Sequence, residues 1–259
     1  MTVDVVILAL TIDTSIFEMN HTAITSLKES EPDLDFRIIV VESNPKWQKF
    51  GEGYGEGVEV FVPQYPFNFN HFNNLGMDRG KADWVLFSNN DVVFTEGCIS
   101  RMLAAHEQNP EYASLCPTDP QSEHTPPGTF PEGVSAVPGY LVRVHFTGWC
   151  FLVKRSIFEK TGPFDHRFNY YFADDDFCMT LRRHNLRNAV VPKAVVTHLA
   201  NVTSKKSSFS ISDKFKEDQQ KFHAKWGPQR VIAMKDRLTK YLLRPLGLKG
   251  IIHKLYRPK

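Results

Sequence analysis

The sequence predicts an α/β fold in which a mostly parallel, doubly wound sheet carries helices on both faces. Short apolar runs rich in β-branched residues are typical of strands buried on both faces of such a sheet. Segments with apolar side chains at helical spacing separate these runs, as expected for parallel strands joined by crossover helices. The strand-like runs cover residues 3–10, 36–41, 58–62 and 84–87, and the helical segments between them cover 14–31 and 69–80.

The first strand and the first helix have clear boundaries. Residues 3–10 (VDVVILAL) are almost continuously apolar, and Asp13 or Thr14 can cap the helix that follows. Pro32 ends that helix. Its apolar residues recur at helical spacing at Ile16, Met19, Ala23, Ile24 and Leu27.

The rest of the chain predicts a second group of elements and a long loop. A helix is expected over about 95–109, strands over 140–146 and 150–153, and a further helix opening near Asp174. Residues 117–138 contain six prolines, too many for a helix or a central strand. Long loops in compact domains are usually functional or disordered, so this segment is a candidate lid or acceptor-binding loop.

Composition indicates a globular protein. At 259 residues, with 42% hydrophobic and 12% aromatic residues, the chain can bury a sizeable core. Its four cysteines show no C-x-x-C spacing and no apolar leader follows Met1, which argues against a disulfide framework, a zinc knot and secretion. No run of about 18 apolar residues is long enough to span a membrane. We therefore predict a cytoplasmic protein.

The C-terminal segment differs in charge from the rest of the chain. Residues 229–259 contain nine lysines and arginines and one aspartate, a net charge of +8, whereas the whole chain carries +2. Two amphipathic helices are expected, separated by Pro245, with apolar residues Val231, Met234, Leu238, Tyr241 and Leu242 in the first and Leu248, Ile251, Ile252 and Leu255 in the second. They either pack on the domain or dock on a polyanion. An anionic surface of the inner membrane is the partner we favour, and nucleic acid is the alternative.

Polar side chains follow three of the predicted strands. Thr11, Glu42 and Asp91 each lie just after an apolar run. Because open α/β sheets bind ligands at the carboxyl ends of their strands, we expect these residues to line one crevice. Asn89-Asn90-Asp91 is also ordinary turn chemistry, since Asn and Asp hydrogen-bond their own main chain. The convergence of three strand ends favours a site with Asp91 as a metal-binding acid.

Three adjacent carboxylates open the helix near residue 174. Asp174, Asp175 and Asp176 would complement the helix dipole and cap free N–H groups, which is the structural explanation. One acid would suffice for that role, and repulsion among three tends to raise one pKa toward the range of a general base. His198, after the apolar run 194–197, is either a structural residue or a metal ligand.

Taken together, these segments resemble the family 2 glycosyltransferases with the GT-A fold, especially the rhamnosyltransferase-like branch. The resemblance covers about residues 3–227 and rests on the order of its motifs, none of which is specific alone. They are VESN (41–44), NLG (74–76), SNND (88–91), TGWCFLVKR (147–155), GPFD (162–165), YFADDDFCMTLR (171–182) and FHAKWG (222–227).

The resemblance implies an inverting transfer of a sugar from a nucleoside-diphosphate sugar to an acceptor hydroxyl. Asp174 would be the general base, and Asp91 with His198 would hold Mn²⁺ or Mg²⁺ at the diphosphate. The acceptor stays open and could be a glycan, a lipid-linked glycan, a protein or a modified nucleic acid. Contacts to the donor would come from Thr11, Asp13, Glu42, Asn74, Asn89, Asn90 and Asp91.

The chain departs from the family pattern at three positions. Glu42 replaces the usual aspartate, Ala173 the usual glutamate and Asn89 the first metal-binding acid. These changes keep open a non-catalytic nucleotide- or sugar-binding relic of the same fold. A sugar nucleotidyltransferase is the other alternative, but it would need a Gly-rich basic loop after the first strand, and residues 11–14 (TIDT) contain neither Gly nor Lys.

The resemblance and the charge distribution together predict the domain organisation. A GT-A domain would cover residues 1–228, with a nucleotide-sugar-binding half at 1–115 and an acceptor-binding half at 139–228. The basic amphipathic tail would cover 229–259.

Overall fold

The computed structural model describes residues 1–125, 128–199 and 211–256. In chain order, its strands and helices are β1 (Thr2–Ala9), α1 (Thr14–Ser30), β2 (Asp35–Glu42), β3 (Val58–Phe61), α2 (Phe69–Met77), β4 (Trp84–Asn89), β5 (Val92–Phe94), α3 (Cys98–Gln108), β6 (Tyr112–Thr118), β7 (Val137–Pro138), β8 (Cys150–Lys154), α4 (Phe158–Thr161), α5 (Ala173–Arg183), β9 (Arg187–His198), α6 (Ile211–Trp226), α7 (Gln229–Leu238) and α8 (Lys249–Leu255). Short 3₁₀ turns occur at Trp47–Lys49 and Arg155–Ile157, and a π-helical segment, Thr239–Leu243, follows α7.

The strands form one mixed sheet in the order β3-β2-β1-β4-β8-β6-β9-β5, with β7 paired to β9. The first four strands in this order, β3, β2, β1 and β4, are parallel to one another, as the alternation of strands and helices predicts. β8 runs antiparallel to both β4 and β6, while β9 is parallel to β6 and antiparallel to β5 and β7. Antiparallel pairing of β8 is possible because antiparallel strands need no crossover helix, and the described part of the proline-rich connection contains none.

Side chains of β1 alternate between two apolar layers, one on each face of the sheet. Val5 and Ile7 pack in the layer that includes α1 and α3, whereas Val6 and Leu8 pack in the layer that includes α2 and α5. The single charged residue in the strand, Asp4, is buried and pairs with Arg155 at 2.6 Å. Burial on both faces explains why the strand is apolar almost throughout.

Two residues determine how α1 begins and how closely α2 packs on the sheet. Asp13 is the N-cap of α1, and its carboxylate accepts a hydrogen bond from the Ile16 N–H at 2.9 Å, as predicted. In α2, a Cβ on Gly76 would lie only 2.4 Å from Val6 Cγ1, so glycine lets the helix approach β1 closely.

The prediction of a strand over residues 140–146 is wrong. The Leu141 carbonyl accepts hydrogen bonds from the N–H groups of Val144 and His145, and Arg143 adopts a left-handed conformation with φ of 71°. These residues therefore form a compact turn, with one isolated bridge between Val142 and Phe146. Tyr140, Val142 and Phe146 pack in the apolar layer on one face of the sheet but do not form a strand of it.

Strands β5 and β6 were not expected from the sequence. β6 is completely buried although it contains Pro117 near its end, and β5 has only three residues. The helix expected from Thr95 begins at Cys98 instead, because the Thr95 N–H and hydroxyl both donate to the Val195 carbonyl of β9.

The tail packs on the domain through a third apolar cluster. Ile232, Leu243, Ile252 and Tyr256 join Phe168, Met179, Phe222 and Trp226 in it. Within the part of the chain that the structure describes, no helix combines the length and the apolar character needed to cross a membrane.

Candidate functional site

The carboxyl ends of β1, β2 and β4 bring the predicted polar residues to one edge of the sheet. The register pairs Ala9 with Glu42 and Leu8 with Asn89, so the residues that follow these strands lie side by side. Thr11, Glu42 and Asp91 are all buried at this edge. The predicted convergence of the strand ends is therefore present in the fold.

Glu42 ties the first two strand ends together. It is fully buried, and its carboxylate accepts hydrogen bonds from the Thr11 N–H (3.1 Å), the Thr11 hydroxyl (2.6 Å) and the Asn44 N–H (2.7 Å). The Asn44 side-chain amide in turn donates to the Thr11 carbonyl at 2.5 Å. The longer reach of glutamate, compared with aspartate, is thus used to hold the loops that follow β1 and β2.

Asn20 connects this pair of loops to the turn that carries Asp91. Its amide nitrogen donates to the Thr11 hydroxyl and to the Tyr54 hydroxyl, both at 2.8 Å, and its oxygen accepts from the Asn90 amide at 2.6 Å. Neither Asn20 nor Tyr54 was expected at this site from the sequence. The available signal was position, because Asn20 lies four residues after Ile16 on the buried face of α1.

Replacing Asn20 with leucine should lower the free energy of unfolding by about 2 to 4 kcal/mol, because three buried polar groups would lose a hydrogen-bond partner. Chemical denaturation measures this change. Thr22→Ala is the control, since Thr22 is exposed on the same helix and should change stability by less than about 0.5 kcal/mol. A loss below about 1 kcal/mol for Asn20→Leu would show that the network is not needed for the fold.

Asp91 and His198 meet because β5 and β9 are antiparallel. The register pairs Val92 with His198, which places the His198 Nε2 atom 3.3 Å from the Asp91 Oδ1 atom. That oxygen is buried and has no hydrogen-bond partner among the described residues. Trp149 stacks on the imidazole, with ring centroids 4.9 Å apart and planes 13° apart.

A buried carboxylate oxygen that accepts no hydrogen bond from the described residues, and that lies beside an imidazole nitrogen, fits a divalent cation. Within residues 1–125, 128–199 and 211–256, however, no group of three or more His, Cys, Asp or Glu side chains could hold a metal ion. Asp91 and His198 are therefore an incomplete ligand set, which water and a bound diphosphate would have to complete.

Asp174 occupies the first turn of α5 and faces Gly148. A Cβ on Gly148 would lie 2.0 Å from the Asp174 Oδ1 atom, so only glycine leaves room for the carboxylate. Burial raises the pKa of Asp174 to about 7, and the neighbouring Asp175 carboxylate adds to the rise. A hydrogen bond with the Gly148 backbone and the positive charge of Arg143 act in the opposite direction. A carboxyl group with such a pKa can exchange protons near neutral pH.

Residues 147–149 connect the Asp174 carboxyl group with the Asp91–His198 pair. Gly148 contacts Asp174, and the next residue, Trp149, stacks on His198. The Trp149 carbonyl also accepts a hydrogen bond from the Asn89 N–H at 2.8 Å. One short segment therefore links the Asp174 carboxyl group to the edge of the sheet that carries the Asp91–His198 pair.

The amino-acid sequence also matches a known family. A sequence model of glycosyl transferase family 2 matches residues 21–184, well over half of the chain. The chain belongs to glycosyl transferase family 2. The matched span contains Glu42, Asp91 and Asp174 and ends before His198.

Two curated proteins of Mycobacterium tuberculosis, from strains CDC 1551 / Oshkosh and ATCC 25618 / H37Rv, are similar to this family 2 chain. Both are named N-acetylglucosaminyl-diphospho-decaprenol L-rhamnosyltransferase, and each is 29% identical to it over 176 residues. The aligned region covers 56% of this chain and 55% of each relative, so the chain spans about half the length of the curated relatives it matches.

Solved structures confirm the predicted GT-A architecture. The crystal structure of GalNAc-T7 with UDP, GalNAc and Mn²⁺ matches 98% of this chain and 54% of its own, with a TM-score of 0.66 and 10% identity. The crystal structure of S. aureus TarS 1–349 matches 98% of this chain and 87% of its own, with a TM-score of 0.55 and 11% identity. At these identities the likeness shows the fold alone.

Two residues predicted to contact the donor have structural hydrogen bonds in this family 2 chain. The Asn74 amide donates to the Phe164 carbonyl and accepts from the Phe164 N–H, both at 2.9 Å, which fixes the GPFD segment. The Asp13 carboxylate caps α1. Asn74 is therefore not part of the hydrogen-bonded group around Thr11 and Glu42.

The three acids of α5 have different surroundings. Asp176 is buried, pairs with Lys225 at 2.7 Å and accepts a hydrogen bond from the Trp226 indole at 2.6 Å. It therefore joins α5 to α6. Asp175 is half-buried, and burial raises its pKa. Asp174 is the acid that faces Gly148 in the segment of residues 147–149. Asp174 is therefore the candidate base, and Asp176 is a structural carboxylate.

Proposed function

We propose that this chain transfers a sugar, with inversion, from a nucleoside-diphosphate sugar to a hydroxyl group of a lipid-linked glycan. The observation that carries the proposal is that two adjacent residues link the candidate groups: Gly148 contacts Asp174, and Trp149 stacks on His198. The lipid-linked acceptor comes from the names of the mycobacterial relatives, whose acceptor is an N-acetylglucosaminyl-diphospho-decaprenol. The chain covers only 55% of their length, so this acceptor class is part of the proposal.

Each residue of the site has a role in the proposed reaction. Asp174 takes the proton of the acceptor hydroxyl, which then attacks the anomeric carbon from the face opposite the diphosphate. Asp91 and His198 would hold Mn²⁺ or Mg²⁺, which neutralises the charge of the leaving diphosphate. The network of Asn20, Thr11 and Glu42 orders the loops around the nucleotide before it binds, so less conformational freedom is lost on binding.

The main alternative is a relic that binds a nucleotide sugar without turning it over. Ala173 and Asn89 are the departures that favour it, whereas the raised pKa of Asp174 favours turnover. A sugar nucleotidyltransferase lacks support, since no Gly-rich basic loop follows β1. A cytoplasmic location remains a prediction, consistent with a nucleotide-sugar donor.

The proposed function is tested with the purified chain, Mn²⁺, a panel of nucleoside-diphosphate sugars that includes L-rhamnose donors, and a polyprenyl-diphospho-N-acetylglucosamine acceptor. Mass spectrometry should detect one added sugar on the acceptor. Thermal shifts identify the preferred nucleotide, because a ligand at about 100 times its Kd adds about 2.7 kcal/mol of stability. Binding of a donor with neither transfer nor hydrolysis would support the relic instead.

Gly148→Ala should lower kcat by about 100-fold, because the added methyl group forces the Asp174 carboxylate away from its position. Donor binding, measured by calorimetry, should be unchanged. Gly250→Ala in α8 is the matched control, since a Cβ there meets no atom within 4 Å. An unchanged kcat in Gly148→Ala would show that the position of this carboxylate does not matter for turnover.

A further inference from the structure

The tail carries two sets of large apolar side chains, and only one of them packs on the domain. Ile232, Leu243, Ile252 and Tyr256 are buried against it. A second set of large apolar side chains, which we call the outer apolar face, is 37% to 71% exposed. It consists of Met234, Leu238, Tyr241, Leu242, Leu246, Leu248 and Ile251.

This exposure is concentrated in one short stretch. Thirteen large apolar side chains are exposed among the described residues, and seven of them lie within residues 234–251. The other six are scattered from Met1 to Phe215. Single exposed apolar residues are normal on a soluble protein, but a cluster of them indicates a surface that binds a partner.

The periodicity of the sequence predicted most residues of the outer apolar face. Met234, Leu238, Tyr241 and Leu242 follow the predicted helical spacing and all lie outward, while the side chain of Val231 lies outside the described part of the chain. The second predicted face is divided: Leu248 and Ile251 are exposed, Ile252 is buried and Leu255 is half-buried. The tail therefore both packs on the domain and keeps an apolar surface in solvent.

The charge around the outer apolar face selects its partner. Arg237, Lys249 and Lys254 are exposed in the same tail, and residues 229–259 carry +8. A second copy of this chain would bring two such tails together and would be repelled. Nucleic acid would match the charge but would leave much of the apolar surface uncovered. An anionic lipid bilayer offers negative headgroups and an apolar interior at the same surface.

We propose that residues 234–251 dock on an anionic membrane surface, with α7 and α8 lying in the plane of the interface. The inference rests on the tail alone and not on sugar transfer. If both proposals are right, docking brings the enzyme to the surface where a lipid-linked acceptor is found.

The test is sedimentation of the full-length chain with vesicles of neutral phospholipid containing about 30% phosphatidylglycerol, at low salt. The double variant Leu238→Gln, Leu242→Gln should reduce partitioning by at least about tenfold. Arg237→Gln with Lys249→Gln should reduce it as well and weaken its dependence on salt. Leu141→Gln is the matched control, because Leu141 is 60% exposed but lies outside the tail. Circular dichroism and thermal melting verify that each variant is folded.

Each result decides the proposal. A full-length chain that stays in the supernatant refutes it, and so does equal binding to vesicles of neutral lipid only. Retention on DNA under the same conditions, without vesicle binding, would assign the tail to nucleic acid. Donor hydrolysis in solution should be the same in the wild type and in the tail variants, so a failure of docking and a failure of sugar transfer remain distinguishable.

Discussion

Asp174→Asn should lower kcat by about 10² to 10⁴-fold while donor binding survives. Asparagine keeps the size of the side chain and its ability to hydrogen-bond the Gly148 backbone, but it cannot accept a proton. Single-turnover transfer assays measure the chemical step, and calorimetry measures donor affinity. Asp175→Asn is the control and should have a far smaller effect, because Asp175 is not the acid that faces Gly148. Equal losses in both variants would remove the assignment of the base.

The same carboxyl group predicts a pH profile. Its pKa is raised to about 7, so it is mostly protonated below that pH and kcat/KM should rise with pH through about 7. Asp174→Asn should abolish this rise. The effect on stability has the opposite sign: the folded state favours the neutral form, so this group stabilises the fold below its unfolded pKa near 4, and that contribution is lost as the pH rises through about 7.

Asp91→Ala should abolish the joint binding of a nucleoside diphosphate and Mn²⁺. In the wild type each should strengthen the binding of the other, because Asp91 and His198 leave the coordination incomplete and the diphosphate must add ligands. The variant should bind the nucleotide roughly 100-fold more weakly in the presence of Mn²⁺, and chelator should then have no further effect.

Asp83→Ala provides the control for that experiment. Asp83 is exposed just before β4, at the opposite end of the strand from Asp91, and its loss should leave the metal dependence unchanged. Calorimetry with and without chelator measures all three proteins. Full-strength diphosphate binding by the wild type in chelator would show that Asp91 has no metal role.

Much of the first half of the sheet could be predicted because its strands are buried on both faces. Val5 and Ile7 face one layer and Val6 and Leu8 the other, so the sequence is apolar at every step and has a recognisable length. Asp13 and the strand ends at Glu42 and Asp91 could be located for the same reason, since polar residues follow directly on an apolar run.

The second half was harder to predict because tertiary contacts decide its structure. Residues 140–146 are as apolar as a strand, yet the left-handed conformation of Arg143 folds them into a turn. The role of Asn20 depends on Tyr54 and Asn90, which are far from it in sequence. Asn74 lies in a segment that resembles a family motif, but its hydrogen bonds to Phe164 appear only in the folded chain.

The pairing of Asp91 with His198 joins two residues that are 107 positions apart in the sequence. The polar network of Thr11, Asn20, Glu42 and Asn90 lies within residues 11–90, whereas the Asp91–His198 pair also needs β9, about 100 residues later. An ion bound between them would therefore close a long loop in the chain. We expect a loss of the β5–β9 pairing to remove the proposed cation site while the network of Thr11, Asn20, Glu42 and Asn90 stays intact.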